Sequence, residues 1–313
     1  MRVLVTGGLG YLGSILCEHL LDAGHHVLAA DNLMYGQGQQ GLFHLCANPR
    51  FEFKKGDVRD ESFLRPLLRD RDAVIHLAAI VGAGACDRDP LLATSVNLHA
   101  VELLMKLRGR NQLVIYPNTN SGYGITSGAE HCTEDTPLQP ISLYGRTKVE
   151  AERAVLDQPN TIALRLATVF GMSPRMRLDL LVNHFVYAAF KDRYLVIFEK
   201  DFKRNFVHVR DVADCMQHCL GHAGDMAGRA YNVGLEAANL SKEVLALRVK
   251  EYVPNFYLHC AAIGHDPDKR NYIVSNQRLR EAGFIAKRSL DAGIQELLKG
   301  YAMEGLALYR NAG

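Results

Sequence analysis

The chain has 313 residues, 48% of them apolar and 22% charged, with a formal net charge of +2. That length suits a dinucleotide-sized domain plus a smaller lobe, and the balance is that of an ordinary soluble globular protein. It carries no basic block interleaved with aromatics, which argues against a nucleic-acid binder, and no apolar run near the ~20 residues that span a bilayer.

Nothing at Met1–Thr6 reads as a signal peptide, so a cytoplasmic location is expected, without membrane or nucleic-acid partners. The seven cysteines are odd in number and scattered, which predicts reduced thiols rather than a disulfide framework.

Taken in chain order, short apolar runs alternate with amphipathic segments. Strands are predicted at Arg2–Val5, His26–Ala30, Phe51–Lys55, Ala73–Leu77, Gln112–Tyr116 and Thr161–Leu166. Such alternation predicts an α/β fold, a doubly wound parallel sheet of the Rossmann type spanning 1–166. Beyond Leu166 the rhythm becomes irregular, which predicts a smaller C-terminal lobe over 167–313. Within it Asn205–Val233 again reads as strand, helix and strand, a candidate return to the first domain.

The first strand runs straight into Gly7, Gly10 and Gly13, and a helix is predicted at Ser14–Ala23. In that context Gly7 permits a tight turn, Gly10 lets backbone N–H groups approach a pyrophosphate, and Gly13 allows close helix–strand packing. Asp31 closes the second strand, where a carboxylate accepts ribose hydroxyls and repels a 2′-phosphate. Asn32 and Leu33 offer no compensating cation, so NAD is predicted over NADP. Asp57 and Val58, after the third strand, are candidate adenine contacts, with helix initiation the alternative for Asp57.

Tyr144 and Lys148 are spaced i, i+4 and share one helix face. A fixed cation beside a phenol lowers its pKa by about 1–3 units, toward use as a base near neutrality. A second cluster, Cys215, His218, Cys219 and His222, has helical spacing compatible with a metal. Four neighbouring donors on one short helix give poor tetrahedral geometry, and Asp211–Leu220 reads better as an amphipathic core helix, so no metal is expected.

Together the Gly7/Gly10/Gly13 loop, His76-Leu-Ala-Ala79, Gly122-Tyr123-Gly124 and the Tyr144/Lys148 pair resemble the extended short-chain dehydrogenases/reductases, which include nucleotide-sugar epimerases and dehydratases. The resemblance implies a catalytic Thr119, four positions before Tyr123, with Tyr144 as base and Lys148 lowering its pKa and holding the cofactor ribose. It also implies NAD contacts from Tyr11, Leu12, Asn32, Leu77, Ala78 and Ala79. Arg204, in Arg204-Asn-Phe-Val-His208, is implied to grip the substrate diphosphate, a task suited to a guanidinium fork. Asn183 and Arg270 are implied as nucleotide or diphosphate contacts, and Lys269 reads as solvated surface. A homodimer is expected through the helix at Asn97–Leu107 and the helix after Tyr144.

A narrower likeness lies in Pro117–Gly124, Leu166–Gly171, Ser173–Asn183 and Asp266–Arg270. These strings are similar to the bacterial GDP-heptose 4-dehydrogenase subgroup, which implies C4 oxidation of a GDP-sugar in surface-polysaccharide synthesis, with Arg175 and Arg177 lining the substrate cleft. Related dehydratases place Asp and Glu directly after the threonine, where this chain has Asn120 and Ser121. Neither is a general acid or base of that kind, so dehydration is disfavoured. Net C4 oxidation, 4-epimerisation and 4-ketoreduction stay open. A non-catalytic NAD sensor is the remote alternative, against which the intact Thr119, Tyr144 and Lys148 set weighs.

Overall fold

A computed structural model of the protein describes residues 1–36, 39–261 and 270–303. Its centre is a seven-stranded, wholly parallel sheet in the order Arg229–Val233, Thr161–Leu166, Leu113–Thr119, Ala73–His76, Arg2–Thr6, His26–Asp31, Phe51–Lys55. The fold is therefore the doubly wound α/β architecture expected from the alternating pattern. The order reverses between Arg2–Thr6 and Ala73–His76, and a crevice opens there at the carboxyl ends of the strands.

The fifth strand is longer than its apolar run suggests, ending at Thr119 rather than Tyr116. Its polar end stays in the ladder because Asn118 pairs with Arg165 and Thr119 with Leu166 of the neighbouring strand. A reading by hydrophobicity stops at the first polar residue. The backbone continues and carries Thr119 to the crevice.

The helix Leu143–Leu156 starts where Ser142 accepts the Gly145 N–H at 3.1 Å, a cap worth about 1 kcal/mol. It buries Lys148, Val149, Ala151, Glu152 and Val155 along one face. Ala151 and Val155 join an apolar cluster with Val101, Leu104 and Met105 of the adjacent helix Ala100–Leu107. Two of the site's side chains thus stand on an element fixed by both cap and core.

In the lobe, Lys203–His208 pairs with Thr168–Phe170 in parallel and with Asn239–Ser241 antiparallel. The 205–233 stretch sends its last strand, Arg229–Val233, into the main sheet beside Thr161–Leu166. One continuous apolar cluster runs from Val3 and Ile15 through Val212 to Phe185, Ile197 and Leu297. Sheet and lobe are thereby packed on a common core. Among the described residues no helix is long and apolar enough to cross a membrane.

Candidate active site

The glycine loop is shaped as its spacing suggests. Gly7 has φ +68°, and a Cβ there would lie 2.7 Å from the Ala78 nitrogen; a Cβ at Gly13 would lie 2.2 Å from the Gly7 carbonyl oxygen. Only glycine allows the first turn of Tyr11–Asp22 to sit this close to the strand ends. Gly10 caps that helix with no side-chain bond, leaving its first N–H groups to meet an anion. Asp31 accepts the Leu9 N–H at 3.1 Å with one carboxylate oxygen and the Leu33 N–H at 2.8 Å with the other. The carboxylate is thus aimed at the loop with lone pairs to spare. A cradle closed to any Cβ, an uncapped helix end and a fixed acid together fit a dinucleotide with free ribose hydroxyls.

These groups line one cavity of about 860 Å³. Tyr11, Leu12, Asn32, Asp57 and Val58 border it at the cofactor end, and Leu77, Ala78 and Ala79 form its floor. The Asp57 carboxylate is paired with Arg59 at 2.7 Å, and burial does not offset the downward pull of Arg59 on its pKa. The helix-start role belongs instead to Asp60, which accepts the Ser62 N–H at 2.8 Å.

Thr119, Tyr144 and Lys148 converge on the same cavity. Thr119 Oγ1 lies 2.8 Å from Ser121 Oγ. Lys148 Nζ sits 4.0 Å from the centroid of the Tyr116 ring. Here the electrostatics correct the sequence expectation. Burial pushes the Tyr144 phenol up to about 12, opposed by the charges of Arg177 and Arg270 and by a hydrogen bond with Thr119. Burial likewise pushes Lys148 down to about 7, opposed by Glu152. The i, i+4 spacing alone does not make a low-pKa phenol, because burial is the largest influence on it.

At the far end, Arg204 is 3% exposed and lies 5.8 Å over the Tyr272 ring. Arg270 donates to Ser121 Oγ, and both arginines line the cavity. The rest of the string Asp266–Arg270, including Lys269, lies outside the described residues.

Two expectations change. Asn183 is fully buried behind the cavity wall: its Oδ1 accepts the Gly171 N–H at 3.0 Å, while its Nδ2 donates to the Arg177 carbonyl at 2.9 Å and to Tyr11 Oη at 3.2 Å. Its amide is engaged by protein groups, and through them it supports the cavity wall. Arg175 lies 4.4 Å over the Tyr35 ring and within the influence of Asp31, which puts it at the cofactor end. Its Nη2 has no hydrogen-bond partner among the described residues. Arg177 lines the cavity and binds Asp179 through Nε at 3.0 Å and through Nη2.

Sequence reasoning missed Tyr35, Asp179, Lys242 and Tyr272, all of which line the cavity. Asp179 carried a signal, an acid two positions from an arginine already singled out. Lys242 carried none. In the Asp211–Leu220 segment, Cys215 and Cys219 are wholly buried; His218 Nε2 bonds the Ala282 carbonyl at 2.8 Å, and its ring stacks on His222.

Comparison with known proteins matches residues 3–234 to the NAD dependent epimerase/dehydratase family. UDP-glucose 4-epimerase of Mycolicibacterium smegmatis is 32% identical over 78% of this chain and 80% of its own. dTDP-glucose 4,6-dehydratase of Streptomyces griseus is 27% identical, covering 96% and 94%. The crystal structure of UDP-glucuronic acid 4-epimerase from Bacillus cereus, in complex with UDP-glucuronic acid and NAD, superposes with a TM-score of 0.84 at 24% identity, covering 96% and 99%. At that identity the superposition speaks to the fold.

Proposed function

We propose that this chain, which belongs to the NAD-dependent epimerase/dehydratase family, is a nucleotide-sugar 4-epimerase. NAD is its cofactor and oxidoreduction of a nucleotide sugar its chemistry. One observation carries the finer reading: Thr119, Tyr144 and Lys148 share a cavity in which the residues after Thr119 cannot expel water. Asn120 is fully buried and not among the cavity-lining residues, and the Ser121 hydroxyl is engaged by Arg270 and Thr119. Neither Asn120 nor Ser121 offers a C4 ketone formed here the acid–base pair of a dehydration, which supports hydride return as the step that completes the cycle.

When bound, NAD would supply the hydride acceptor, held by the Gly7/Gly10/Gly13 loop, Asp31 and Lys148. Tyr144 takes the proton from the C4 hydroxyl as the C4–H bond gives up its hydride, and a carbonyl forms. Thr119 holds the reacting oxygen. Lys148 orients the ribose and, near neutrality, exchanges its own proton. Arg204 and Arg270 hold the diphosphate, and Arg175 stands at the cofactor end beside Tyr35. For epimerisation, Tyr144 would return its proton to the C4 oxygen once hydride is delivered to the opposite face of the sugar.

The second reading is net oxidation of a GDP-heptose, favoured by the strings Pro117–Gly124, Leu166–Gly171 and Ser173–Asn183. The likeness to a UDP-glucose 4-epimerase, and no GDP-sugar enzyme among the relatives named above, supports epimerisation as the first reading. Liquid chromatography that resolves sugar epimers, coupled to mass spectrometry, after incubation with UDP-, GDP-, CDP- and dTDP-sugars separates them: an epimer elutes as a new peak of unchanged mass, and a released ketone loses the mass of one hydrogen molecule. Turnover of none of them would sink both readings. The adjacent helices Ala100–Leu107 and Leu143–Leu156 are the proposed homodimer face. A monomer by light scattering would defeat that part.

A further inference from the structure

We propose that Arg175, a residue of the C-terminal lobe, binds the pyrophosphate of the dinucleotide and supplies the cation that the glycine loop lacks. The inference rests on NAD as the cofactor. Its geometry begins at Ser173, whose Oγ donates to the Tyr11 carbonyl at 2.7 Å and lies 2.9 Å from Ser14 Oγ. The segment is thereby bonded to the first turn of the helix Tyr11–Asp22, which has no side-chain cap. Pro174 packs on the other side, where a Cβ at Gly41 would lie 2.5 Å from its own Cβ. Arg175 then lays its guanidinium 4.4 Å over the ring of Tyr35, in the loop that follows Asp31. Gly10, Asp31, Tyr35 and Arg175 all border one cavity. Arg175 thus reaches the Asp31 loop from a segment bonded to the helix N-terminus. The ribose and the pyrophosphate of one dinucleotide belong at those two places.

Arg175 lacks a counter-charge of its own. It is 3% exposed, and its Nη2 is buried without a hydrogen-bond partner among the described residues. The carboxylates that influence it are engaged elsewhere: Asp179 grips Arg177, and Asp31 accepts the N–H groups of Leu9 and Leu33. The Tyr35 ring meets the guanidinium by its face, and the fork of donors lies in the guanidinium plane. A buried guanidinium stays charged, and it costs the fold its lost hydration unless an anion makes that good. A pyrophosphate offers adjacent charged oxygens that suit the fork. The substrate's diphosphate is the other source of such an anion, but Arg204 and Arg270 stand at the far end of the cavity for it.

Calorimetric titration of the full chain with adenosine, ADP and UDP tests this. In Arg175→Gln, ADP should bind about tenfold to a hundredfold more weakly, while adenosine, which lacks the phosphates, and UDP move by less than about threefold. Arg175→Lys should recover part of the loss, since a point charge replaces part of what a fork supplies. The Tm of nucleotide-free Arg175→Gln should not fall, because the change removes an unpaired buried charge, yet the Tm rise given by ADP should shrink. Equal weakening of adenosine and ADP would make Arg175 a support for the shape of the pocket, and weakening of UDP in place of ADP would assign it to the substrate. Either result overturns the proposal, as does an unchanged ADP affinity. If Arg175→Gln does not fold, Arg175→Lys decides it, an unmoved ADP affinity then overturning the guanidinium contact. A wild-type chain that binds neither NAD nor ADP would remove the cofactor itself, a failure distinct from that of Arg175.

Discussion

Glu152 and Arg165 form an ion pair at 2.7 Å with side chains only 4% and 7% exposed. Arg165 Nε reaches both Glu152 oxygens at 3.1 Å, and its Nη1 donates to Tyr123 Oη at 3.1 Å and to the Glu134 carbonyl at 2.9 Å. Asn118 adds a further bond to the carboxylate. The pair ties the Tyr144 helix to the strand that follows it. Glu152→Ala leaves a buried guanidinium without its counter-charge, which costs about 3–5 kcal/mol of stability. Urea unfolding checks this, and a loss under about 1 kcal/mol would refute it.

Tyr144→Phe and Arg204→Ala should separate chemistry from binding. The first removes the acid–base oxygen and keeps the ring, so NAD and nucleotide sugar still bind while kcat falls by roughly 10²–10⁴. The second removes a diphosphate contact made in ground and transition states alike, so KM rises with kcat little changed. Steady-state kinetics on one verified sugar nucleotide reads both. The opposite pattern would reverse the two roles.

Asp31→Ser should lower NAD affinity by about tenfold to a hundredfold, the loss of charge-assisted bonds to the ribose. The same change should admit NADP, because Arg175 stands within the influence of this carboxylate and would then face a 2′-phosphate. Binding titrations with both dinucleotides measure it. NADP affinity that does not improve in the variant would rule out Arg175 as the waiting cation.

Lys148 imposes a definite pH dependence on folding. Its pKa falls from about 10.4 in an unfolded chain to about 7 here, so between those values the unfolded chain holds a proton that the folded one has released. Stability contributed by this site therefore rises with pH through that window, and the cost of charging the buried amine is fully present below it. Lys148→Met should raise the Tm at pH 6 and flatten the rise between pH 7 and 10 by about one proton's worth of slope. A slope unchanged by the substitution would contradict the buried, neutralised lysine.

The sheet and glycine loop were legible in the sequence because each is local: a strand, a turn and a helix follow one another within the reach of a periodicity. Tyr144 and Lys148 were legible for the same reason. The placing of Arg175 at the cofactor end was not, since its ring partner Tyr35 lies far away in the chain. The partners of Asn183 were not legible either, because a residue type suited to binding a nucleotide is equally suited to closing a loop. The Tyr144 pKa was misjudged because spacing reveals a neighbour's charge and conceals the burial that both groups share.

Tyr11 belongs to the cofactor loop, yet its hydroxyl donates to the Gly171 carbonyl at 2.7 Å, its carbonyl accepts from Ser173 Oγ at 2.7 Å, and Ser14 Oγ lies 2.9 Å from Ser173 Oγ. These bonds rivet the dinucleotide loop to the lobe at the point where a clamshell would need its gap. Parting the two halves would break them and wet the shared apolar cluster, so cofactor binding is expected to proceed without a swing of the lobes. Small-angle scattering should accordingly give one radius of gyration with and without saturating NAD. A contraction on binding would instead reveal a hinge.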